Sequence, residues 1–240
     1  LLSKKFNFRI LEDASHALGS KYGKYPVGSC KYSDIAVFSF HPVKTITTGE
    51  GGAIMTNDLC LFKKIKILRE HGIVRNKKFF NNKEQGLWYY EKKFLGYNYR
   101  MSDINSSLGL SQLQKIKKIV KRRAKIFEIY KKSFKRMPIQ LQKIDNNNSS
   151  LHLTIILVSK KINRSLFRYL RSKNIFVNKH YIPLYYHPFF KFKKNTRNDF
   201  SNAQEYYERC ISIPNYFGLK AKDQSFVINA IKKFCFSRPN

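Results

Sequence analysis

The sequence predicts an α/β protein in two parts: a first part built on short buried strands, and a small α+β domain hung on a long helix. Three observations carry this expectation. Apolar runs at residues 8–11 (FRIL), 35–40 (IAVFSF) and 53–56 (AIMT) have the length of strands buried on both faces of an α/β sheet. From Ser102-Asp103 to Pro138, the residues Ile104, Leu108, Leu113, Ile116, Val120, Ala124, Phe127, Tyr130, Phe134 and Met137 recur at mostly three- and four-residue steps. That spacing marks a long amphipathic helix. Beyond it, strand-like and helix-like segments alternate over the last hundred residues.

Composition bounds the function classes. A chain of 240 residues is enough for one large or two modest domains with a sizeable core. The longest apolar run, residues 151–158, is strand-sized and falls well short of the roughly 18 residues of a membrane-spanning helix. Cys30, Cys60, Cys210 and Cys235 lie far apart, so neither zinc-ligand nor CxxC redox spacing occurs. With no signal-peptide pattern at its start, the chain is expected to be cytosolic and reduced, with no metal. The net charge of +32 has two explanations. It would draw polyanions, as in a basic, non-enzymatic nucleic-acid-binding protein. Alternatively, it follows from A/T-rich codons. Lys, Ile, Asn, Phe and Tyr make up 111 of the 240 residues, and Lys outnumbers Arg by 34 to 13. Phosphate binding alone would not enrich Phe, Ile and Asn, so codon bias is the preferred explanation.

The elements follow in order. Residues 1–5 resemble the last turn of a helix more than a natural start, and the chain reads as a piece of something longer. The strands at 8–11, 35–40 and 53–56 come next. Asn57-Asp58 offers an N-cap to an amphipathic helix running to about Glu70, which Gly72 closes. Residues 76–91, rich in Asn, Lys and aromatics, predict an irregular excursion. The long helix follows, with eleven Lys or Arg between Lys115 and Arg136, expected on a solvated face opposite the apolar stripe. Residues 145–150 (DNNNSS) predict a turn or linker. A strand (151–158), a helix (about 163–173), a strand (176–182) and a terminal helix (about 222–236) complete the small domain.

Three clusters could carry chemistry. Glu12-Asp13-Ala14-Ser15-His16 closes a strand at the sheet edge where α/β proteins hold ligands. A carboxylate there suits a cationic ring or a metal, and equally the N-cap of a helix. Between two apolar strands runs Ser39-Phe40-His41-Pro42-Val43-Lys44-Thr45-Ile46-Thr47-Thr48-Gly49-Glu50-Gly51-Gly52. A lysine confined beside a glycine-rich turn can lose its proton through desolvation and form imines. Nucleotide-loop patterns are absent from this stretch. Gly96-Tyr97-Asn98-Tyr99-Arg100-Met101-Ser102-Asp103 precedes the long helix, and its Asn98 could serve a phosphate or a plain turn.

Together these clusters resemble the DegT/DnrJ/EryC1/StrS family of pyridoxal-phosphate sugar aminotransferases. EDASHALGS, SFHPVKTITTGEGGAIMTND, LREHGI and GYNYRMSDINSSLGLSQL follow the family pattern in order, and the likeness spans nearly the whole chain. The SFHPVK form, with HYIPLYYHPFF at 180–190, is most similar to the branch that serves pseudaminic acid biosynthesis. The resemblance implies the fold of PLP-dependent transferases of fold type I. In this chain that would be the C-terminal portion of the large domain plus a small α+β C-terminal domain. It divides the chain into residues 1–110 (large PLP-binding domain), 111–137 (long connecting helix) and 138–240 (small domain).

The resemblance also assigns roles. Lys44 matches the lysine that joins the cofactor as an imine and shuttles the proton. Asp13 matches the carboxylate facing the pyridine nitrogen, His16 the contact to the phenolic oxygen, and Ser39 a phosphate donor. Asn98 matches a phosphate contact made across a homodimer interface. His180 and Tyr181 are expected near the nucleotide-sugar. The implied activity moves an amino group, from glutamate as donor, to a UDP-4-keto-6-deoxy-hexose for a surface or flagellin glycan. A dehydrating subgroup carries histidine where this chain has Lys44. The family's N-terminal portion is missing from the pattern, including a phosphate-gripping loop and a cofactor-stacking aromatic. The 240-residue chain is therefore expected to be inactive alone.

Overall fold

A computed structural model of the protein describes residues 2–82, 85–144, 148–190 and 199–236. The chain divides into two compact units, residues 1–116 and 117–240. The first opens with a short helix, α1 (Leu2–Phe6), and a strand, β1 (Leu11–Asp13). A two-stranded ribbon of β2 (Lys21–Tyr22) and β3 (Tyr25–Pro26) follows, then β4 (Ile35–Ser39) and β5 (Gly52–Met55). The main sheet has the order β1-β4-β5, with β1 parallel and β5 antiparallel to β4.

The strand expected at residues 8–11 starts only at Leu11. The reason is local: Asp34 Oδ2 accepts the Ile10 amide (2.8 Å) and Asp34 Oδ1 accepts from the Arg9 guanidinium (2.6 Å). A side-chain carboxylate thus takes the place of a ladder carbonyl. Nor are all three strands buried on both faces as expected. β4 is the central strand and buries Ala36 and Phe38, whereas Leu11 and Ile54, on the two edge strands, stay exposed.

Helix α2 (Leu59–Arg69) starts as expected, with Asp58 accepting from the amides of Cys60 and Leu61 at 2.8 and 3.1 Å. Its exit uses Gly72 in the left-handed region, φ +71, donating to Ile67 O. The excursion that follows holds a 3-10 turn at Lys77–Phe79 and a short pairing of β6 (Ile73–Val74) with β7 (Glu91–Lys92). Glu91 organises it. Its carboxylate accepts from the amides of Asn81 and Asn82, the Tyr89 hydroxyl and the Lys93 ammonium.

The single long helix is a correction. Two helices stand there, α3 (Asp103–Leu113) and α4 (Ile116–Phe134). Of the expected stripe, Ile104, Leu108 and Leu113 in α3 are exposed, while Phe127, Tyr130 and Phe134 in α4 are buried. The five-residue step from Leu108 to Leu113 is where the helical phase slips, so one helix could not have buried both halves of the stripe. The solvated-face expectation for the basic residues fails at one position: Arg123 is buried, donating from Nη1 to the carbonyls of His152 and Asn215 at 3.0 and 2.6 Å.

The second unit carries β8 (Gln140–Leu141), β9 (Thr154–Leu157) and β10 (Cys210–Ile213) in an antiparallel sheet of order β10-β9-β8. Helices α5 (Lys160–Ser172), α6 (Ser201–Arg209) and α7 (Ala221–Phe236) complete it. Its core joins Ile126, Tyr130 and Phe134 with Ile156, Leu166, Leu170, Ile211 and Ile231. Ser159 caps α5, which starts three residues earlier than expected. The strand expected at 176–182 is absent. Only Asn178 pairs, in a single bridge to Ser212 of β10. The sequence reading missed α6 and β10. Residues 145–147 of the expected linker and Leu1 lie outside the described residues. Among the described residues, no helix is long and apolar enough to cross a membrane.

Candidate active site

The site begins where two parallel strands end side by side. Asp13 closes β1, and its register partner on β4 is Val37, two residues before Ser39 closes that strand. Both side chains therefore leave the sheet at its C-terminal edge, the edge at which parallel sheets place ligands. Ala14 is buried and donates to Val37 O (2.9 Å), which fixes the turn that follows Asp13.

Asp13 Oδ1 accepts from the Ser15 hydroxyl (2.5 Å) and from the Ser15 amide (3.0 Å). These two bonds hold its carboxyl below the usual carboxylate range, and the His16 and Lys44 charges pull the same way. Asp13, His16 and Lys44 thus share one electrostatic neighbourhood. Ser15 was not singled out from the sequence; the Asp-x-Ser spacing, which places a hydroxyl and an amide on one carboxylate, is the signal that could have found it.

The loop carrying Lys44 is closed on itself. Phe40 donates to Gly51 O (2.8 Å), and Thr48 donates back to Phe40 O (3.0 Å). The Lys44 amide donates to His41 O (2.9 Å), the Val43 amide to His41 Nδ1 (3.3 Å), and the Thr47 hydroxyl to Phe40 O (3.0 Å). Thr45, Ile46 and Thr48 are buried, so the loop is anchored immediately after a half-buried Lys44, while His41, Pro42 and Val43 before it are exposed. His41 stands 3.8 Å from Glu50 and supports the loop rather than joining the Asp13 group. Ser39 Oγ accepts the His41 amide at a long 3.5 Å.

Asn98 sits on a different segment. Its neighbours Tyr97 and Tyr99 donate to Leu68 O and Arg69 O, and Asn98 itself bridges Glu70, so the segment is sewn to the end of α2 with Asn98 exposed. His180 and Tyr181 belong to the second unit. There His180 Nδ1 lies 2.7 Å from Ser212 Oγ, and the Tyr206 hydroxyl donates to His180 O (3.2 Å). Among the described residues, no group of three or more His, Cys, Asp or Glu is placed to hold a metal ion.

The donor set fits pyridoxal phosphate. An ionised carboxylate, held by two hydrogen bonds and accompanied by an amine and an imidazole, suits a protonated pyridine ring that carries an aldehyde. The Ser39 hydroxyl at the neighbouring strand end suits an anion.

The comparisons agree with this chemistry. Residues 1–232 match the DegT/DnrJ/EryC1/StrS aminotransferase family. A UDP-4-amino-4,6-dideoxy-N-acetyl-beta-L-altrosamine transaminase of Campylobacter jejuni is 40% identical over 233 residues, covering 94% of this chain and 58% of that protein. Among solved structures, Helicobacter pylori PseC, an aminotransferase involved in the biosynthesis of pseudoaminic acid, superposes with a TM-score of 0.81 at 31% identity. It covers 99% of this chain and 62% of its own. The PLP-form of a putative sugar aminotransferase from Streptococcus pneumoniae gives a TM-score of 0.84 at 28% identity, covering 99% and 60%. The chain spans about three fifths of the length of the relatives it matches.

Proposed function

The chain belongs to the DegT/DnrJ/EryC1/StrS aminotransferase family, and from that membership we propose that it serves PLP-dependent amino transfer to a UDP-linked 4-keto-6-deoxy-hexose. The observation that carries the reading is the grouping of Asp13, His16 and Lys44 at the C-terminal edge of β1 and β4. The sugar class follows from the transaminase relatives at 34–40% identity. Glutamate as donor, a homodimer with shared sites and a cytoplasmic setting complete the reading. None of the relatives reported above is a nucleic-acid-binding protein, and the basic composition needs no polyanion to explain it.

Pyridoxal phosphate, when bound, supplies an aldehyde that condenses with amines and a ring that draws electrons from the adjoining carbon. The chain's residues then divide the work. Asp13, kept ionised by its Ser15 bonds, would hold a proton on the ring nitrogen. Lys44 would offer the amine that condenses with that aldehyde, and as a free amine it could move a proton between the two carbons that flank the transferred nitrogen. His16 stands beside Asp13 to meet the ring's phenolic oxygen, and Ser39 offers a hydroxyl to the phosphate. Asn98, exposed and rigidly carried, presents its amide to the phosphate of a second copy. His180 and Tyr181 approach the nucleotide-sugar.

Lys44 is the test. Mixed with pyridoxal phosphate and then borohydride, the wild-type chain carries a stable label on Lys44, and with its partners complete it transfers nitrogen to the 4-keto-sugar. Lys44→Ala and Lys44→Arg lose both, since a guanidinium stays protonated and forms no imine. Turnover at the wild-type rate by either variant overturns the reading.

A further inference from the structure

Helix α3 and the residue that precedes its cap bear on the loop that carries Lys44. Asn105 and Gly109, four apart on α3, lie one above the other, and Met101 sits just before the Ser102 cap. A Cβ on Gly51 would come within 2.7 Å of Met101 Cε, and a Cβ on Gly109 within 2.7 Å of Thr48 Cγ2. Between these two contacts, Asn105 Nδ2 donates to Thr48 O and, at 3.4 Å, to Glu50 O. Gly49, in the left-handed region at φ +80, passes so close that a side chain there would sit 3.3 Å from the same nitrogen.

The orientation of that amide is itself fixed. Ser102 caps α3: its hydroxyl oxygen accepts the Asn105 amide N–H (3.2 Å) and its O–H donates to Asn105 Oδ1. With Oδ1 taken, Nδ2 can only face the loop. The start of the helix thus aims a donor at two loop carbonyls that lie four and six residues beyond Lys44.

We propose that Asn105 is a positioning residue that clamps the Lys44 loop and so sets where the Lys44 amine stands relative to Asp13. The proposal deepens the functional reading and rests on Lys44 as the reacting amine. Asn105 touches neither cofactor nor substrate in it; it acts through the backbone of Thr48 and Glu50.

Amide hydrogen exchange on the 240-residue chain tests the clamp without any cofactor. Losing a net hydrogen bond of ordinary strength should speed exchange of the Thr48 and Gly49 amides about two- to tenfold in Asn105→Ala. Ile104→Ala, on the exposed side of the same helix, leaves them unchanged. Asn105→Asp keeps an acceptor for Ser102 and the helix start but removes the donor, so it should reproduce the effect of Asn105→Ala. An unchanged rate in Asn105→Ala, or an effect confined to Asn105→Ala and absent in Asn105→Asp, overturns the clamp. A second readout is borohydride labelling with pyridoxal phosphate. The clamp predicts that both Asn105 variants lose the preference for Lys44 over the other lysines, and undiminished preference counts against it. If the wild-type chain itself shows no label on Lys44, the functional reading fails, and the exchange rates still decide the clamp.

Discussion

The two units divide apolar surface very differently. Among the described residues, the second unit buries twenty-two hydrophobic side chains, while the first buries five: Ala14, Ala36, Phe38, Ile46 and Val74. The exposed side shows the reverse. Among the described residues, twenty-three large hydrophobic residues of the first unit are exposed, including Leu87, Trp88, Leu95 and Ile104, against twelve of the second. Yet Asp13, His16, Ser39 and Lys44 all lie in the first unit. The second unit is stable through packing. The first is held by hydrogen-bonded loops around polar anchors, and these are what place its chemistry. Buried apolar area dominates folding free energy, so the second unit should be the more resistant to opening.

Truncating one large aromatic in each unit is the strongest way to break that comparison. Phe134, 2% exposed and stacked on Tyr130 at 5.8 Å, should cost about 3–5 kcal/mol on conversion to alanine. Phe38→Ala should cost less, about 1–3 kcal/mol, because fewer buried neighbours surround the gap and it can collapse or fill with water. Segment-resolved hydrogen exchange measures both losses. A Phe38 loss as large as that of Phe134 would sink the claim that the first unit's core is thin.

Arg123 gives a second, somewhat smaller effect. Burial pulls its guanidinium down to about 10, and three backbone carbonyls depend on it, those of Leu151, His152 and Asn215. Arg123→Ala strands these acceptors and should destabilise the second unit by about 3 kcal/mol. Amides in residues 8–74 should keep their exchange rates. If those rates rise in step, the units are not separately cored and the comparison fails.

Much of this layout was legible in the sequence, and the reasons for the remainder are physical. The cap at Asp58, the closing Gly72 and the strand at β4 follow from local chemistry, and local chemistry decided them. The break between α3 and α4 was visible as the five-residue step at Leu108 to Leu113, but an average over the whole stripe hides one slip of phase. The strand expected at 176–182 shrinks to one bridge, Asn178 to Ser212 of β10. Strand propensity says nothing about how many residues of a segment find a partner. At the site, Asp13, His16 and Lys44 were named from motif order and stand in one electrostatic neighbourhood. Ser15, Glu91, Asn105 and Arg123 were missed because each acts by holding backbone or another side chain. Their partners lie at separations from two residues to ninety-two, which no single motif spans.

Acid sharpens the comparison further. Lys93 first, helped by the Asn81 and Asn82 amides and the Tyr89 hydroxyl, pulls the Glu91 carboxyl from its ordinary 4.5 to about 2. A carboxylate with a depressed folded pKa contributes stability that is complete above its unfolded value and lost as pH falls through the folded one. The excursion at residues 76–93 should therefore keep its order well below pH 4.5 and loosen only toward pH 2. Glu91→Gln should remove that pH dependence and loosen the excursion at neutral pH as well. Fluorescence of Trp88, the chain's single tryptophan, would follow it. An excursion that melts near pH 4.5 would mean that Glu91 is not the anchor.

The smallest effect belongs to Ser15, and it isolates what the polar anchors of the first unit do. Ser15→Ala removes the 2.5 Å hydroxyl bond to Asp13 but keeps the 3.0 Å amide bond and the pull of His16 and Lys44. The Asp13 pKa should rise toward its ordinary carboxylate value without reaching neutrality, so Asp13 stays ionised at pH 7. Structure and stability at pH 7 should hardly change. The change should appear only in acid, where Asp13 takes up its proton at a higher pH than in the wild type. By the same linkage, the stability contributed by the ionised form is lost earlier as pH falls. NMR titration of the Asp13 carboxyl carbon reads this directly. A titration midpoint identical in wild type and Ser15→Ala would mean that the amide bond and the neighbouring charges alone set the Asp13 carboxylate, and that the hydroxyl is a bystander.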